Sequence, residues 1–380
     1  MNISPELSDD ELRALATDVA RLSTLLTRER EGLPAAYLRD DGLRKAYQAY
    51  FLPSNLSKIH KPLQELSFHP RGLFAKVKLR VLDIGAGPGT ASLGALTFFS
   101  RQDRKPQIEF TVVDQVAENL KMAEALILSS RTTHALEVSL KTARSDVAGL
   151  GNYLHGHFDV IILSNVMNEL FARDEARIGK RVDMVGDILK RGLADDGSCI
   201  IIEPALRETS REMLEVRDGM LEQGFHLYSP CLFNDKCPAL VNPKDWCHED
   251  IPWDPPALVK EIDKLTGLRK DSLKFSYLVL RKDHLSLADV IGPNSFRVVS
   301  EPLVSKGKIE YYLCGAGERK LVMRQDKNTT PENEPFGSLQ RGNLISFERL
   351  IDEGKRFKVG KETSVTRAGL SGFPRLVREK

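Results

Sequence analysis

Hydrophobic positions follow two different spacings along this chain, and the change of spacing divides it into regions. Over Asp10–Arg30 and again over Leu43–Phe51 the apolar residues have helical spacing, which predicts amphipathic helices in an N-terminal region. From Leu79 onward, short apolar runs are separated by longer amphipathic stretches. This second pattern predicts strands that alternate with helices.

Five strands are predicted before residue 204, and a helix follows or separates most of them. The strands are Arg80–Ile84, Ile108–Val113, Ala135–Leu140, Phe158–Leu163 and Ser198–Glu203, and the helices are Ala91–Phe99, Ala117–Leu128, Asp174–Leu193 and Glu208–Gln223. Alternation of this kind predicts right-handed crossovers and a parallel sheet. The fully apolar run Val160–Leu163 suits burial on both faces of the sheet. The sequence therefore predicts a doubly wound, Rossmann-like α/β domain.

The alternation breaks down after this domain. Residues 226–256 have no clear period, Leu273–Arg281 predicts a sixth strand of the same sheet, and Phe296–Arg324 and Leu344–Val359 are β-rich with glycine turns. The last part is typical of a small barrel that binds RNA. We predict a helical region (1–75), a Rossmann-like domain (76–225) and a cysteine-rich insert (226–257). The last helix and strand of the sheet (258–295), a β-rich part (296–365) and a basic tail (366–380) follow.

A glycine-rich turn follows the first predicted strand. Gly85, Gly87 and Gly89 alternate with other residues, and Asp83 lies inside the strand before them. Glycine tolerates positive φ and lets backbone approach a ligand, and the helix start near Thr90 supplies unpaired N–H groups. The order Asp-x-Gly-x-Gly-x-Gly is typical of the first motif of S-adenosylmethionine-dependent methyltransferases rather than of a dinucleotide fingerprint. An ordinary turn between a strand and a helix is the alternative.

Acidic residues at the carboxyl ends of the strands complete a candidate cofactor pocket, because ligands of doubly wound sheets bind at that edge. We expect Asp83 to position the turn and the amino group of the cofactor. Asp114 ends the second strand and can accept hydrogen bonds from ribose hydroxyls. Asp146 follows the third strand, where it can read the adenine amino group or be a simple loop acid.

The methyl-acceptor side is less defined. Asn165, Asn168 and Glu169 follow the fourth strand and could face a substrate. Capping of a helix by Ser164 or Asn165 is the alternative. The chain lacks the Asn/Asp-Pro-Pro-aromatic motif of enzymes that methylate exocyclic amino groups of bases. It also lacks a cytosine-C5-type catalytic cysteine, because Cys199 lies within the apolar run Cys199–Ile202 and is predicted to be a buried thiol. The catalytic residues therefore remain unknown.

Three of the five cysteines lie in the non-periodic segment, as Cys231, Cys237 and Cys247 with the spacing Cys-x5-Cys-x9-Cys. An odd number of cysteines argues against a disulfide framework. Thiolates in a loop without its own core suit zinc or an iron–sulfur cluster, and spacing alone leaves both open. A fourth ligand is needed. His248 is adjacent to Cys247, which makes simultaneous binding awkward, whereas Cys314 is distant in sequence but could fold back.

Although the net charge is only +2, the C-terminal end of the chain is basic. Eight basic residues stand there against Glu362 and Glu379: Lys355, Arg356, Lys358, Lys361, Arg367, Arg375, Arg378 and Lys380. Such a stretch predicts a polyanionic partner such as RNA, or else a solvated tail. No run approaches the roughly 20 apolar residues of a membrane span. The first eleven residues have no signal-peptide core and are too acidic for a mitochondrial presequence, which predicts a prokaryotic cytoplasmic protein without a membrane partner.

Several of these features occur together in one known family. The glycine turn, the upstream pieces Ala36-Tyr37-Leu38, Ala46-Tyr47 and Leu52-Pro53, the block Pro230-Cys231…Cys237-Pro238…Trp246-Cys247-His248 and the late Cys314 stand in the family's order. Over roughly residues 35–360 the chain resembles the methyltransferase-like small-ribosomal-subunit assembly factors, which are best known from the mitochondrial ribosome and have bacterial relatives.

The resemblance implies a class I methyltransferase fold, association with the small ribosomal subunit and its rRNA, and a four-iron, four-sulfur cluster on Cys231, Cys237, Cys247 and Cys314. Two positions depart from the family. Leu232-Phe233 stands where a Pro-His pair is frequent, and Glu249 stands where an aromatic residue is usual. Neither departure removes a ligand, although both can alter exposure and redox tuning. The alternatives are an active S-adenosylmethionine-dependent rRNA methyltransferase, and a small-molecule methyltransferase with a structural zinc site.

Overall fold

The computed structural model describes residues 7–29, 37–69, 73, 76–134, 136–146, 148–154 and 157–368. A few predicted features fall outside these residues: the helix end at Arg30, the motif residue Ala36, the strand start at Ala135, and the basic residues Arg375, Arg378 and Lys380.

The N-terminal region is helical, as the apolar spacing predicts. Its helices are α1 (Asp9–Thr27), α2 (Asp41–Ala46), α3 (Leu52–Leu56) and α4 (His60–Ser67), joined in part by a π-helical turn at Tyr47–Phe51 and a 3-10 turn at Ser57–Ile59. The first helix begins with a capping box, in which the Ser8 side chain accepts from the Glu11 backbone and Glu11 reaches back to Ser8.

Strands and helices then alternate as predicted, with boundaries within a few residues of the expected ones. The order is β1 (Lys78–Ile84), α5 (Thr90–Ser100), β2 (Gln107–Asp114), α6 (Ala117–His134), β3 (Val138–Arg144), β4 (Phe158–Ser164), α7 (Arg177–Gly192), β5 (Leu193–Pro204) and α8 (Arg207–Glu222). Helix α5 is almost entirely buried, because the N-terminal helices cover it. At Gly94 a Cβ would lie 2.2 Å from the carbonyl oxygen of Leu56, so this helix crossing requires glycine.

Strand order in the first sheet is β3-β2-β1-β4-β5-β8-β6, with β7 also paired to β8. The first five strands are parallel, as predicted, and the predicted sixth strand is β8 (Ser272–Arg281), which follows α9 (Ala257–Thr266). It runs antiparallel to β5, so the sheet is mixed rather than fully parallel.

The segment predicted to be without regular structure contains two short strands, β6 (His226–Ser229) and β7 (Glu249–Pro252). Both pair antiparallel with the same side of β8, one at each end of it. The cysteine-rich insert is therefore a loop that leaves the sheet edge after β6 and returns to it at β7. Four residues are too few for a period-two pattern to stand out, which is why the sequence did not indicate these strands.

The C-terminal part is β-rich, as predicted, and forms a half-barrel with its own core of Phe296, Tyr311, Phe336 and Phe347. It follows α10 (Ala288–Ile291) and consists of β9 (Ser295–Val298), β10 (Leu303–Ser305), β11 (Lys308–Gly315), β12 (Glu318–Gln325), β13 (Leu344–Glu348), β14 (Ile351–Asp352), β15 (Arg356–Val359) and β16 (Ser364–Arg367). The strand order is β14-β15-β12-β11-β9-β13-β16, with β10 beside β11.

The basic end predicted from the sequence is partly built into this half-barrel. Arg356 Nε lies 2.8 Å from Glu353, and Lys358 Nζ lies 3.6 Å from the same carboxylate. Arg367 donates to the carbonyl of Ser338 at 2.7 Å. Lys355 to Arg367 are therefore part of a folded sheet, and only the residues after 368 stay a candidate tail.

A buried ion network joins the two sheets. Arg297 of β9 lies 2.9 Å from the Glu65 carboxylate of α4 and 3.5 Å from the Glu249 carboxylate of β7. Its Nε donates to the carbonyl of Pro230 at 2.7 Å, directly before the first cysteine of the insert. Although burial alone would raise the pKa of Glu65, the charges of Arg297 and Lys61 lower it to about 2. The carboxylate is therefore ionised at neutral pH.

Candidate functional site

The three glycines of the turn after β1 all have positive φ, at +63° for Gly85, +54° for Gly87 and +76° for Gly89. A Cβ on Gly85 would lie 2.5 Å from Val166, and one on Gly89 would lie 2.9 Å from the Cβ of Ala123. A Cβ on Gly87 would meet no atom within 4 Å. The outer two glycines are thus required by protein packing, and the middle one borders open space that a ligand can use.

Asp83 is fully buried at the end of β1. Its Oδ2 accepts hydrogen bonds from Ser92, at 2.6 Å from the hydroxyl and 3.2 Å from the backbone N–H, which ties the strand to the first turns of α5. Its Oδ1 has no partner among the described residues. Burial raises the pKa of Asp83 to about 7, and the charge of Asp114 adds to the shift. The residue therefore ties β1 to α5 on either side of the turn and keeps one oxygen for a further donor, while its contact with the amino group of a cofactor stays a prediction.

Asp114 closes β2 and is bonded to the glycine turn itself. Its Oδ2 accepts from the backbone N–H of Gly87 at 2.8 Å, and its Oδ1 accepts from the backbone N–H of Val116 at 2.8 Å and from Asn119 Nδ2 at 3.2 Å. Asn119 was not singled out in the sequence, yet its buried Oδ1 has no partner among the described residues. Asp146 is exposed and accepts from the N–H of Gly149 at 2.9 Å, so its contact with adenine stays a prediction.

The N-terminal region covers this edge of the sheet. The Tyr47 hydroxyl lies 3.0 Å from the hydroxyl of Thr90, the first residue of α5. Burial raises the pKa of Tyr37 well above its usual value, with smaller contributions from Tyr47, Glu169 and Asp114. The two tyrosines thus bring the N-terminal segments close to the glycine turn and to the loop after β4.

The loop after β4 is bonded to the end of β5. Glu203 is buried there and accepts from the backbone N–H of Met167 at 2.9 Å and from the side-chain amide of Asn168. Asn165 has a left-handed backbone, at φ +58°. The helix-capping alternative for Ser164 or Asn165 is wrong, because turns follow these residues and α7 begins only at Arg177. The Oδ1 of Asn168 is buried and has no partner in the described part of the chain.

Lys58 and Glu203 are two further candidates that sequence reasoning missed. Burial lowers the pKa of Lys58 to about 7, with the charge of Lys270 acting in the same direction and that of Glu203 opposing it. The available signal for Glu203 was an acid at the end of an apolar strand, the same signal that identified Asp114. For Lys58 the sequence carried no signal.

The four cysteines predicted as ligands line one cavity. Cys231, Cys237 and Cys247 come from the insert, and Cys314 comes from β11 of the half-barrel. The space between the lining atoms, including the open solvent at the mouth of the cavity, is about 590 Å³, and the middle of β8 forms one wall. Cys199 lies elsewhere, fully buried in β5, as predicted. Two regions far apart in the sequence thus contribute thiols to one place.

Two arginines of α8 hold the insert in place. Arg211 donates to the backbone carbonyls of four residues between the second and third cysteines: Ala239, Leu240, Asn242 and Asp245. The fully buried Arg217 donates to the carbonyls of Phe233 and Asp235, between the first and second cysteines. These bonds satisfy backbone groups that an irregular buried loop would otherwise leave unpaired.

Burial dominates the acid–base state of the cavity. It raises the pKa of Cys237 to about 11 and that of Cys247 to about 12, and the neighbouring thiols add to both shifts. Burial and neighbouring thiols also raise the pKa of Cys314 well above its usual value. Ligation would therefore have to displace protons. In the described residues, no three His, Cys, Asp or Glu side chains are arranged to hold a metal ion, so the metal stays a prediction.

Comparison with known proteins gives one match along most of the chain. Residues 43–357 match the family model described as "Mitochondrial small ribosomal subunit Rsm22". This range contains the glycine turn, the insert and Cys314. No protein of curated function matches the chain significantly. Of the helices that the structure describes, none has both the length and the apolar character needed to cross a membrane.

Solved structures with a similar fold include three S-adenosylmethionine-dependent methyltransferases. A putative one from Streptococcus mutans has 14% identity and a TM-score of 0.32, over 53% of this chain and 44% of its own. A TehB-like methyltransferase from Corynebacterium glutamicum has 15% identity and a TM-score of 0.31, over 59% of this chain and 88% of its own. A methyltransferase from Thiobacillus denitrificans in complex with S-adenosyl-L-homocysteine has 15% identity and a TM-score of 0.31, over 58% of this chain and 90% of its own. The chain spans less than half of the Streptococcus protein.

Proposed function

The chain belongs to the Rsm22 family of mitochondrial small ribosomal subunit proteins, and from this premise we propose that it is an assembly factor that binds small-subunit rRNA. The family match carries the proposal, because it spans residues 43–357 and so includes both the glycine turn and the cysteine cavity. The cytoplasmic location predicted for a bacterial member differs from the family's mitochondrial description and stays part of the proposal.

The cysteine cavity is proposed to hold a four-iron, four-sulfur cluster on Cys231, Cys237, Cys247 and Cys314. The chemistry of the lining suits such a group, since four thiols and the unpaired N–H groups of Trp246 and Arg319 line one cavity. Binding would have to draw the thiols together, because no three of them are arranged around a metal position in the described residues. A bound cluster supplies a covalent link between the insert and the half-barrel together with a one-electron centre. Zinc on the same four thiols is the alternative.

The glycine turn is proposed to hold S-adenosylmethionine. Support comes from the open space at Gly87 and from the buried, unpartnered oxygens of Asp83 and Asn119, which can accept from ammonium, amino or hydroxyl groups. Asp114 would share its carboxylate between the turn and the ribose, and Asp146 would lie beside the adenine. An active rRNA methyltransferase is the second candidate. The hydrogen-bonded pair of Asn168, after β4, and Glu203, at the end of β5, favours it.

Deleting the gene from its source organism tests the ribosomal role. We expect small subunits to decline relative to large subunits in a sucrose gradient, while the map of methylated nucleotides in small-subunit rRNA stays unchanged. A map that loses one methyl group only in the deletion strain would favour the methyltransferase. Normal subunit profiles together with an unchanged map would overturn both proposals.

Anaerobic purification tests the metal proposal. We expect a brown protein with about four iron and four sulfide per chain. Cys314→Ala should lower this loading, because one of four ligands is lost. Cys199→Ala is the matched control, since this thiol lies outside the cavity. One equivalent of zinc and no iron would replace the cluster with a zinc site, and undiminished loading of Cys314→Ala would remove Cys314 from the ligand set.

A further inference from the structure

Buried nitrogen atoms without hydrogen-bond partners gather around the four cysteines. Trp246 and Arg319 line the cavity, and within the described residues neither Trp246 Nε1 nor Arg319 Nε has an acceptor. Arg217 Nε is another buried nitrogen without an acceptor, but Arg217 does not line the cavity and its Nη1 pairs with Asp218. Buried donors without acceptors are rare in folded proteins, so the two that line this cavity indicate a shared acceptor.

The rest of each side chain is held firmly. Arg319 lies directly opposite Cys314 in the β11–β12 pairing, and its Nη1 lies 3.2 Å from Asp245. Its guanidinium also stacks over Tyr312, at 5.2 Å from the ring centroid. The Trp246 ring stacks on His248 with 5.5 Å between centroids. These contacts leave the Nε–H of Arg319 and the indole N–H of Trp246 without the freedom to turn to another partner.

The chemistry of these donors specifies the kind of acceptor. An indole N–H and an arginine Nε–H can only donate, and they pair best with atoms that carry negative charge. A cluster or metal held by four thiolates has a net negative charge spread over its sulfur atoms. The guanidinium group of Arg319 also adds positive charge beside it.

On the basis of the proposed cluster, we propose that Trp246 and Arg319 donate N–H···S hydrogen bonds to its sulfur atoms and thereby favour its reduced form. Reduction adds one electron, which increases the negative charge on sulfur and strengthens each of these bonds. Hydrogen bonds to sulfur are among the factors that set cluster potentials. The two residues act as positioning and tuning groups and are not themselves ligands.

The test compares reduction potentials of the full-length, cluster-loaded chain and three variants during titration with dithionite, followed by electron paramagnetic resonance. Trp246→Phe keeps the ring and removes the N–H, and Arg319→Lys keeps the charge and removes Nε–H. We expect each to lower the equilibrium constant for one-electron reduction about tenfold, which is about 59 mV. Trp253→Phe is the matched control, because Trp253 lies outside the cavity and should leave the potential unchanged.

The outcomes separate this inference from the proposed function. Unchanged potentials in both variants, at full iron and sulfide content, would overturn the inference and leave the cluster in place. If the chain binds zinc instead, the cluster proposal fails, and hydrogen exchange of the Trp246 indole N–H decides whether it bonds to thiolate sulfur. Slower exchange with zinc than without it supports the bond, and equal exchange overturns it. A chain that binds no metal at all would overturn both.

Discussion

At the scale of single residues, the glycine turn shows that one motif can combine different physical requirements. Gly85 and Gly89 leave room for neighbouring side chains, whereas Gly87 has open space and keeps only its left-handed backbone. The sequence motif predicted all three as places where a ligand approaches. It could not distinguish them, because the side chain of Val166 reaches Gly85 from a loop that is distant in sequence.

Alanine at these positions should separate packing from conformation. Gly87→Ala should lower the free energy of unfolding by about 1–2 kcal/mol, the cost of a left-handed backbone for a residue with a Cβ. Gly85→Ala should lower it by about 1–3 kcal/mol more, because its Cβ would overlap Val166. Urea unfolding measures both, and adding Val166→Ala should restore only the packing part. Equal losses in the two single variants would contradict this account.

The buried Asp83 gives a prediction about pH. Because its pKa is raised to about 7 in the folded chain, the unfolding free energy should fall as pH rises from about 4 to about 7. At pH 8 this loss is on the order of 4 kcal/mol, so Asp83→Asn should stabilise the cofactor-free chain at pH 8 but not at pH 4.

Urea unfolding at the two pH values checks this prediction, and Asp146→Asn, at an exposed acid, should change stability by less than about 0.5 kcal/mol at either pH. A gain that is the same at pH 4 and pH 8 would rule out the titration of Asp83 as its cause. In calorimetry, Asp83→Asn should also weaken binding of S-adenosylmethionine if Oδ1 accepts from the cofactor.

At the scale of elements, the sequence predicted the parallel strands and their helices well, because long periodic segments report burial directly. It predicted no structure for the insert, since that loop is held by Arg211 and Arg217 of α8 rather than by its own apolar residues. Arginines on a helix ordinarily indicate an exposed face. Their contact with backbone carbonyls of a later loop cannot be inferred from spacing.

Arg211→Lys should loosen the insert without unfolding the sheet. A lysine has one nitrogen and cannot reproduce bonds to four carbonyls, so the amides of 239–245 should exchange faster and Cys237 and Cys247 should be alkylated faster. Arg207→Lys on the same helix is the matched control, because Arg207 is exposed. Identical exchange and alkylation in the two variants would show that other contacts hold the loop.

At the scale of the whole molecule, the proposed binding to rRNA should depend on salt. For single-stranded RNA, the logarithm of the binding constant falls linearly with the logarithm of the salt concentration, and each phosphate contact adds about 0.7 to the steepness of this line. Replacing Arg375, Arg378 and Lys380 by glutamine should therefore reduce the slope by up to about 2 if all three contact phosphates. Filter binding from 50 to 200 mM salt measures the slope, and an unchanged value would assign binding to the folded sheets.

The Arg297 network also bears on how such a protein can evolve. Its guanidinium belongs to the half-barrel, while the carboxylates of Glu65 and Glu249 belong to the N-terminal helices and to the edge of the first sheet. A gene fusion or deletion that exchanged either sheet alone would leave buried charge without its counterpart. Exchange of one sheet alone between two relatives should therefore be tolerated only where both carry the charges that form this network.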